Sequence, residues 1–209
     1  DLNSNKVTGT IECGKSTDRM VLLNQRIFVC NWSAYYNNEE NNTISVIDAE
    51  NNDFINYIEV TKEPNSIVID KNNNIWVLCS GGFMNEERPS LYCIDGINHS
   101  IIKKLDFPDQ SSNPTNLTIN HSGDSLLFLN KDIFIMDLQS DTIPLEPLIS
   151  MENRVINGFS TDPVSGTILI FDAIDYQQNG LVHIYQQDGT YIKNIAAGII
   201  PGYITYSQP

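Results

Sequence analysis

Four apolar stretches along the chain end on Asp or Gln and are each followed by the same layout of further strands: Ile44 to Asp48, Leu91 to Asp95, Ile133 to Asp137 and Val182 to Gln186. Their last residues are 47, 42 and 49 positions apart. That period holds about four short strands, the content of one propeller blade. Between the Asp-ended stretches the pattern predicts three more strands. The first runs from Lys6 to Cys13, Ile55 to Val60, Ile101 to Phe107, Ile143 to Ile149 and Tyr191 to Ala196. The second runs from Asp18 to Asn24, Asn65 to Asp70, Thr115 to Asn120, Val155 to Thr161 and Gly202 to Ser207. The third is Ile27 to Asn31, Ile75 to Cys79, Leu126 to Asn130 and Ile168 to Asp172.

Turns between the second and third strands carry hairpin chemistry, with Asp, Asn and Gly where tight reversals need them, as at Asp70 to Asn74, His121 to Asp124 and Asp162 to Gly166. Helix-period patterns and capping boxes are absent, so the expected fold is all-β. The units expected are 1–48, 49–95, 96–137, 138–186 and an incomplete 187–209, forming a single domain of about four and a half blades. A ring must close to cover its blade edges, which predicts a larger propeller, with seven blades preferred and further chain N-terminal to Asp1.

Composition narrows the partners. With 41% apolar residues over 209 positions, a stable core needs neither metal nor disulfide staples. No window approaches the roughly 20 apolar residues of a spanning helix. A formal net charge of −14 repels a phosphate backbone, so nucleic acid is excluded as a partner. Cys13, Cys30, Cys79 and Cys93 show no Cys-x-x-Cys pair and no histidine at zinc spacing, and read as buried free thiols.

The unit Ile44 to Asp48, Ile55 to Val60, Pro64 to Asp70 and Ile75 to Val77 resembles the YVTN or YncE-like propeller repeat. The Asn- and Ile-rich composition and the ending Gly198-Ile199-Ile200-Pro201-Gly202 resemble propeller lipoproteins on the outer surface of gut bacteria. Some members of that group capture cobalamin for a TonB-dependent transporter. The resemblance implies an extracytoplasmic binding role, secreted or held at the outer membrane by a lipid anchor, with a transporter as partner.

The loops after the third strands, 32–42, 80–90 and 173–180, are long and unlike one another on a common strand plan. Variable loops on a rigid repeat are where ligands bind. They supply the candidate contacts Trp32, Tyr35, Tyr36, Phe83, Arg88 and Tyr176, an aromatic platform for a small molecule or glycan. The loops preceding the second strands share that face and add Lys15, Lys62, Asn65, Asn113 and Arg154.

Glu12, Glu59 and Asp106 stand 47 apart on first strands, expected to be the innermost of their blades, and so to meet near the channel. Such a set holds a hard cation or tunes an acid–base group, although Lys15 and Lys62, three residues on, offer simple neutralisation. Asp70, Asn72 and Asn74 imitate a calcium loop, but Ile75 and Gly81 replace its glycine and bidentate Glu. His99, His121 and His183 form no Ser-His-Asp set by spacing. The expectation is a non-enzymatic ligand-binding propeller without a cofactor. The alternatives are a metal-dependent lactonase-like hydrolase using Glu12, Glu59 and Asp106, and a protein-binding scaffold.

Overall fold

The computed structural model describes residues 3–14, 16–32 and 41–206, which hold fifteen strands and no helix. They are β1 (Thr17–Leu23), β2 (Arg26–Asn31), β3 (Thr43–Asp48), β4 (Asp53–Glu59), β5 (Pro64–Ile69), β6 (Asn74–Cys79), β7 (Ser90–Asp95) and β8 (Ile101–Asp106), followed by β9 (Thr115–Ile119), β10 (Ser125–Asn130), β11 (Asp132–Asp137), β12 (Ile156–Thr161), β13 (Ile168–Asp172), β14 (Asn179–Tyr185) and β15 (Tyr191–Ile199). They pair as antiparallel meanders into four sheets: β1-β2-β3-β4, β5-β6-β7-β8, β9-β10-β11 and β12-β13-β14-β15. The third sheet lacks a fourth strand, and Ile149 makes only an isolated bridge to Ile133 where Ile143 to Ile149 was expected to be one. Lys6 to Cys13 and the described part of Gly202 to Ser207 likewise form no strand.

Successive sheets meet through their first strands: β1 packs beside β5, β5 beside β9 and β9 beside β12. These four strands are the hub, and β4, β8 and β15 are the rim. The sequence reading had this order out of phase by one strand. Its first strands, taken as innermost, are the rim strands, and its second strands form the hub. The physical reason lies in packing: β5, β9 and β12 each lie beside the first strand of the preceding sheet and are mostly buried or half-buried, whereas β4 and β8 are mostly exposed.

The apolar faces of neighbouring sheets close on one another to form the core. Phe28, Cys30, Ile44 and Val46 meet Ile67, Ile75, Val77 and Ile94 between the first and second sheets. Trp76, Leu91 and Leu105 meet Leu126, Phe128 and Met136 between the second and third. Leu127 and Ile133 meet Phe159, Ile168, Ile170 and Tyr185 between the third and fourth. Burying a side chain of this size stabilises by roughly 1.5–3 kcal/mol, so the blade contacts hold the sheets together. All four cysteines are free and buried: Cys30 and Cys79 between the first and second sheets, Cys93 between the second and third, and Cys13 against Val29 and Ile47. Burial pushes the Cys93 thiol up to about 12 and the Cys30 thiol higher still.

The Asp that ends the third strand of the first three sheets has a local cause. Asp48 Oδ1 accepts from the amides of Glu50 and Asn51, and Asp95 Oδ1 from those of Ile97 and Asn98. These Asx turns satisfy amides the hairpin would leave unpaired, and they hold both carboxyls below the usual carboxylate range.

Candidate functional site

Strands in a meander reverse at each turn, so the loop after each second strand and the crossover to the next sheet leave on the same side. Contacts between the two sets bear this out. Glu63 N donates to Asn41 O at 2.7 Å, Gly81 N to Lys62 O at 3.0 Å and Phe107 N to Pro89 O at 2.9 Å. This is the loop-rich face, and it carries Trp32, Phe83 and Tyr176 among the loop aromatics named by the sequence.

Trp32 is 44% exposed, Phe83 67% and Tyr176 51%, so none of them is buried between blades. The loop holding Phe83 is pinned from within. Glu86 Oε2 accepts from Met84 N at 2.9 Å, and Glu87 Oε2 accepts from Lys62 N at 3.0 Å. Ser80 Oγ donates to the buried Glu63 at 3.0 Å, while burial holds the Glu63 carboxyl above its usual range. Gly81 at φ +86° closes so tightly that a Cβ there would stand 2.2 Å from Glu87 O. Arg88 is spent on structure: its Nη1 donates to Phe107 O at 3.1 Å and Pro108 O at 2.7 Å. Arg154 is spent likewise, donating to Tyr185 Oη at 2.8 Å. Lys15, Tyr35 and Tyr36 lie outside the described residues.

The structure brings only Trp32, of the described contact candidates, to a cavity. That cavity is a hollow of about 790 Å³ walled by β1, β5, β9 and β12 and by residues 202–204. Its size falls within the roughly 300–1,000 Å³ usual for small-molecule sites. Every wall strand carries a register shift near its first residues. The shifts fall between Thr17 and Met20 on β1, Pro64 and Ser66 on β5, Thr115 and Thr118 on β9, and Ile156 and Gly158 on β12. A bulge re-aims the side chain it displaces. The displaced residues include Asp18, Arg19, Asn65, Asn116 and Asn157, and all five line the hollow at its loop-rich mouth.

Two of the three asparagines staple one unit to the next. Asn65 Nδ2 donates to Pro114 O at 2.9 Å, and Asn157 Nδ2 to Pro201 O at 3.1 Å. Arg19 is also engaged. It lies 3.7 Å from Asp18, donates to Tyr203 Oη at 2.9 Å and sits 5.5 Å from the centre of that ring. Asn116 differs. It stands at φ +54°, and its side chain makes no hydrogen bond among the described residues.

The carboxylate set does not assemble at the hub. Glu59 ends β4 and Asp106 ends β8, both rim strands, and Glu12 is exposed in a segment that forms no strand. Asp106 accepts from Ser90 Oγ at 2.7 Å and pairs with Lys104 at 3.0 Å, which hold its carboxyl below the usual range against the opposing effect of burial. Lys62 pairs with Glu86 at 3.8 Å rather than with Glu59. Among the described residues no three His, Cys, Asp or Glu side chains are grouped to hold a metal. Asp70 closes a hairpin, as its missing calcium-loop residues imply.

Of the residues lining the hollow, sequence reasoning named Trp32 and Asn65 and did not single out Asn116, Asn157 or Arg19. A regular strand would turn every second residue outward; the bulges break that alternation and leave no period in the sequence.

No known protein family matches the sequence, and no curated protein matches it. Solved structures do. A hydrazine synthase of Kuenenia stuttgartiensis aligns with a TM-score of 0.65 at 14% identity, over 83% of this chain and 46% of that one. A quinoprotein alcohol dehydrogenase-like protein of Bacteroides thetaiotaomicron aligns at 0.64 and 13% identity, over 86% and 45%. The Dos1 propeller aligns at 0.59 and 14% identity, over 81% and 42%. The chain spans less than half of each of these three. Likeness at such identity shows the fold alone, and the fold is that of a partial β-propeller.

Proposed function

We propose that this β-propeller is a non-enzymatic extracytoplasmic binding protein that takes up a small molecule or glycan at the mouth of its central hollow. The observation that supports the reading is the hollow itself: about 790 Å³, entered from the loop-rich face, with Trp32 at its rim and bulged polar side chains around its wall. Binding into a rigid frame loses little conformational entropy, because the hollow is walled mainly by paired strands.

Within this reading the chain is a YncE-like surface propeller, secreted or anchored at the bacterial outer membrane, acting as a capture subunit beside a transporter. The resemblance of its repeat makes a corrinoid the first ligand to try. Titration of cobalamin and of neutral oligosaccharides into the full natural chain by calorimetry tests the proposal. Saturable heat with at least one of them, weakened in Trp32→Ala, supports it. No heat with any of them, with folded protein, overturns it.

A scaffold role is the second reading, and Phe83 and Met84 favour it: both are exposed at the tip of a pinned loop. The hydrolase alternative loses its premise, since its three carboxylates stand at the rim or in an exposed segment.

A further inference from the structure

The wall of the hollow has an unusual electrical balance for a chain with net charge −14. Among the described residues that line it, the charged ones are Asp18 and Arg19, 3.7 Å apart. The other described lining residues are neutral, including Ser66, Thr115, Thr118 and Ser160. A charged ligand in such a space would meet no free counter-charge among the described residues, so its charge would gain nothing from the wall. An uncharged ligand rich in hydrogen-bonding groups is matched by the neutral polar side chains there.

Within that wall Asn116 is set apart by two independent features. It is one of the two bulged residues of β9, with Leu117, where pairing skips between Leu127 and Leu129, and it occupies the left-handed region at φ +54°. Left-handed backbone in a strand costs free energy and persists where the surrounding fold enforces it. Its carboxamide is also the one of the three hub asparagines that donates to no neighbouring carbonyl among the described residues. A carboxamide offers a donor and an acceptor side by side. Two adjacent hydroxyls of a sugar ring present the matching acceptor and donor, and the half-exposed Trp32 indole supplies a face for the ring's C–H groups.

We infer that Asn116 is the ligand-reading residue of the hollow and that it recognises a vicinal diol on an uncharged glycan. The inference rests on the hollow being a binding site, as proposed above.

The φ of Asn116 decides which substitutions test it. Alanine would add backbone strain, whereas Asn116→Gly removes the carboxamide and keeps the conformation available. Asn116→Asp keeps shape and left-handed tolerance but replaces the donor with a charge. The full natural chain and both variants are titrated calorimetrically with neutral oligosaccharides, with the corresponding uronates and with cobalamin, and thermal midpoints are recorded alongside. The expected result is saturable binding of a neutral oligosaccharide and none of its uronate. Asn116→Gly lowers that affinity roughly tenfold, the loss of two neutral hydrogen bonds, at an unchanged midpoint. Asn116→Asp, which keeps an acceptor, lowers it as well. Neutral-sugar binding unaffected by Asn116→Gly, or equal binding of uronates, overturns the inference. Cobalamin binding with no sugar binding overturns it while leaving the binding reading intact; no binding of any probe overturns both.

Discussion

Asp70 carries more of the second sheet than a turn residue normally would. It is 4% exposed. Its Oδ1 accepts from Asn72 N at 2.8 Å and Asn74 N at 2.9 Å, and its Oδ2 from Asn74 Nδ2 at 3.2 Å and Trp76 Nε1 at 2.9 Å. Trp76 is 2% exposed and packs in the layer between the second and third sheets. Asp70→Ala therefore orphans a buried indole N–H, at about 1–3 kcal/mol, and opens a turn whose two amides lose their acceptor. The expected total is about 3 kcal/mol, since bonds sharing one carboxylate do not add in full. Trp76→Phe removes the indole donor, so the double variant should cost about 1–2 kcal/mol less than the sum of the singles. Urea unfolding at constant slope measures each value. A cost below about 0.5 kcal/mol for Asp70→Ala, or strict additivity in the cycle, would refute the assignment of the turn and the tryptophan to one network.

The remaining predictions concern packing, acid, thiols and loops. Phe128 is fully buried, with ring centres 5.5 Å from both Phe107 and Phe134, and Phe128→Ala should cost about 3–5 kcal/mol in the same urea assay. Asp48, Asp95, Asp124 and Asp162 all have lowered carboxyl pKa values, that of Asp124 falling to about 2 through bonds from Asn120 and Ser122. A lowered folded pKa gives stability that is present above the unfolded value and lost as pH falls toward the folded one. Midpoints should therefore hold above about pH 4 and drop between about pH 4 and 2, read by circular dichroism. A thiol reagent should label the four buried cysteines only after unfolding. Arg88→Ala should lower the thermal midpoint with little effect on ligand affinity, and Trp32→Ala should do the reverse, because Arg88 holds loop carbonyls while Trp32 faces the hollow.

Strand content was legible in the sequence because each Asp-ended stretch closes an Asx turn, so a local hydrogen-bond need writes itself into a repeating residue. The period also revealed the blade, through apolar faces that must meet between sheets. Radial order was not legible. A repeat reads the same from any starting strand, and only the pairing of the strands and the contacts among β1, β5, β9 and β12 fix where a blade begins. For the same reason Glu59 and Asp106 kept their spacing but not their expected place. Trp32 was found as an aromatic in a variable loop. Asn116 and Asn157 were hidden, since their role comes from a bulge, and a single displaced residue alters no composition or periodicity. Arg88 looked like a ligand contact because sequence cannot show that the carbonyls of Phe107 and Pro108 already occupy it.

The chain's two tryptophans allow the central claim to be read directly. Trp32 lines the hollow, half exposed, while Trp76 lies in the core, bonded to Asp70. Tryptophan fluorescence is followed as the ligand found by calorimetry is titrated into the full chain, the Trp76→Phe variant and the Trp32→Phe variant. Binding at the hollow predicts a saturable change in the first two and none in the third. A full change persisting in Trp32→Phe would place the ligand elsewhere and contradict the account.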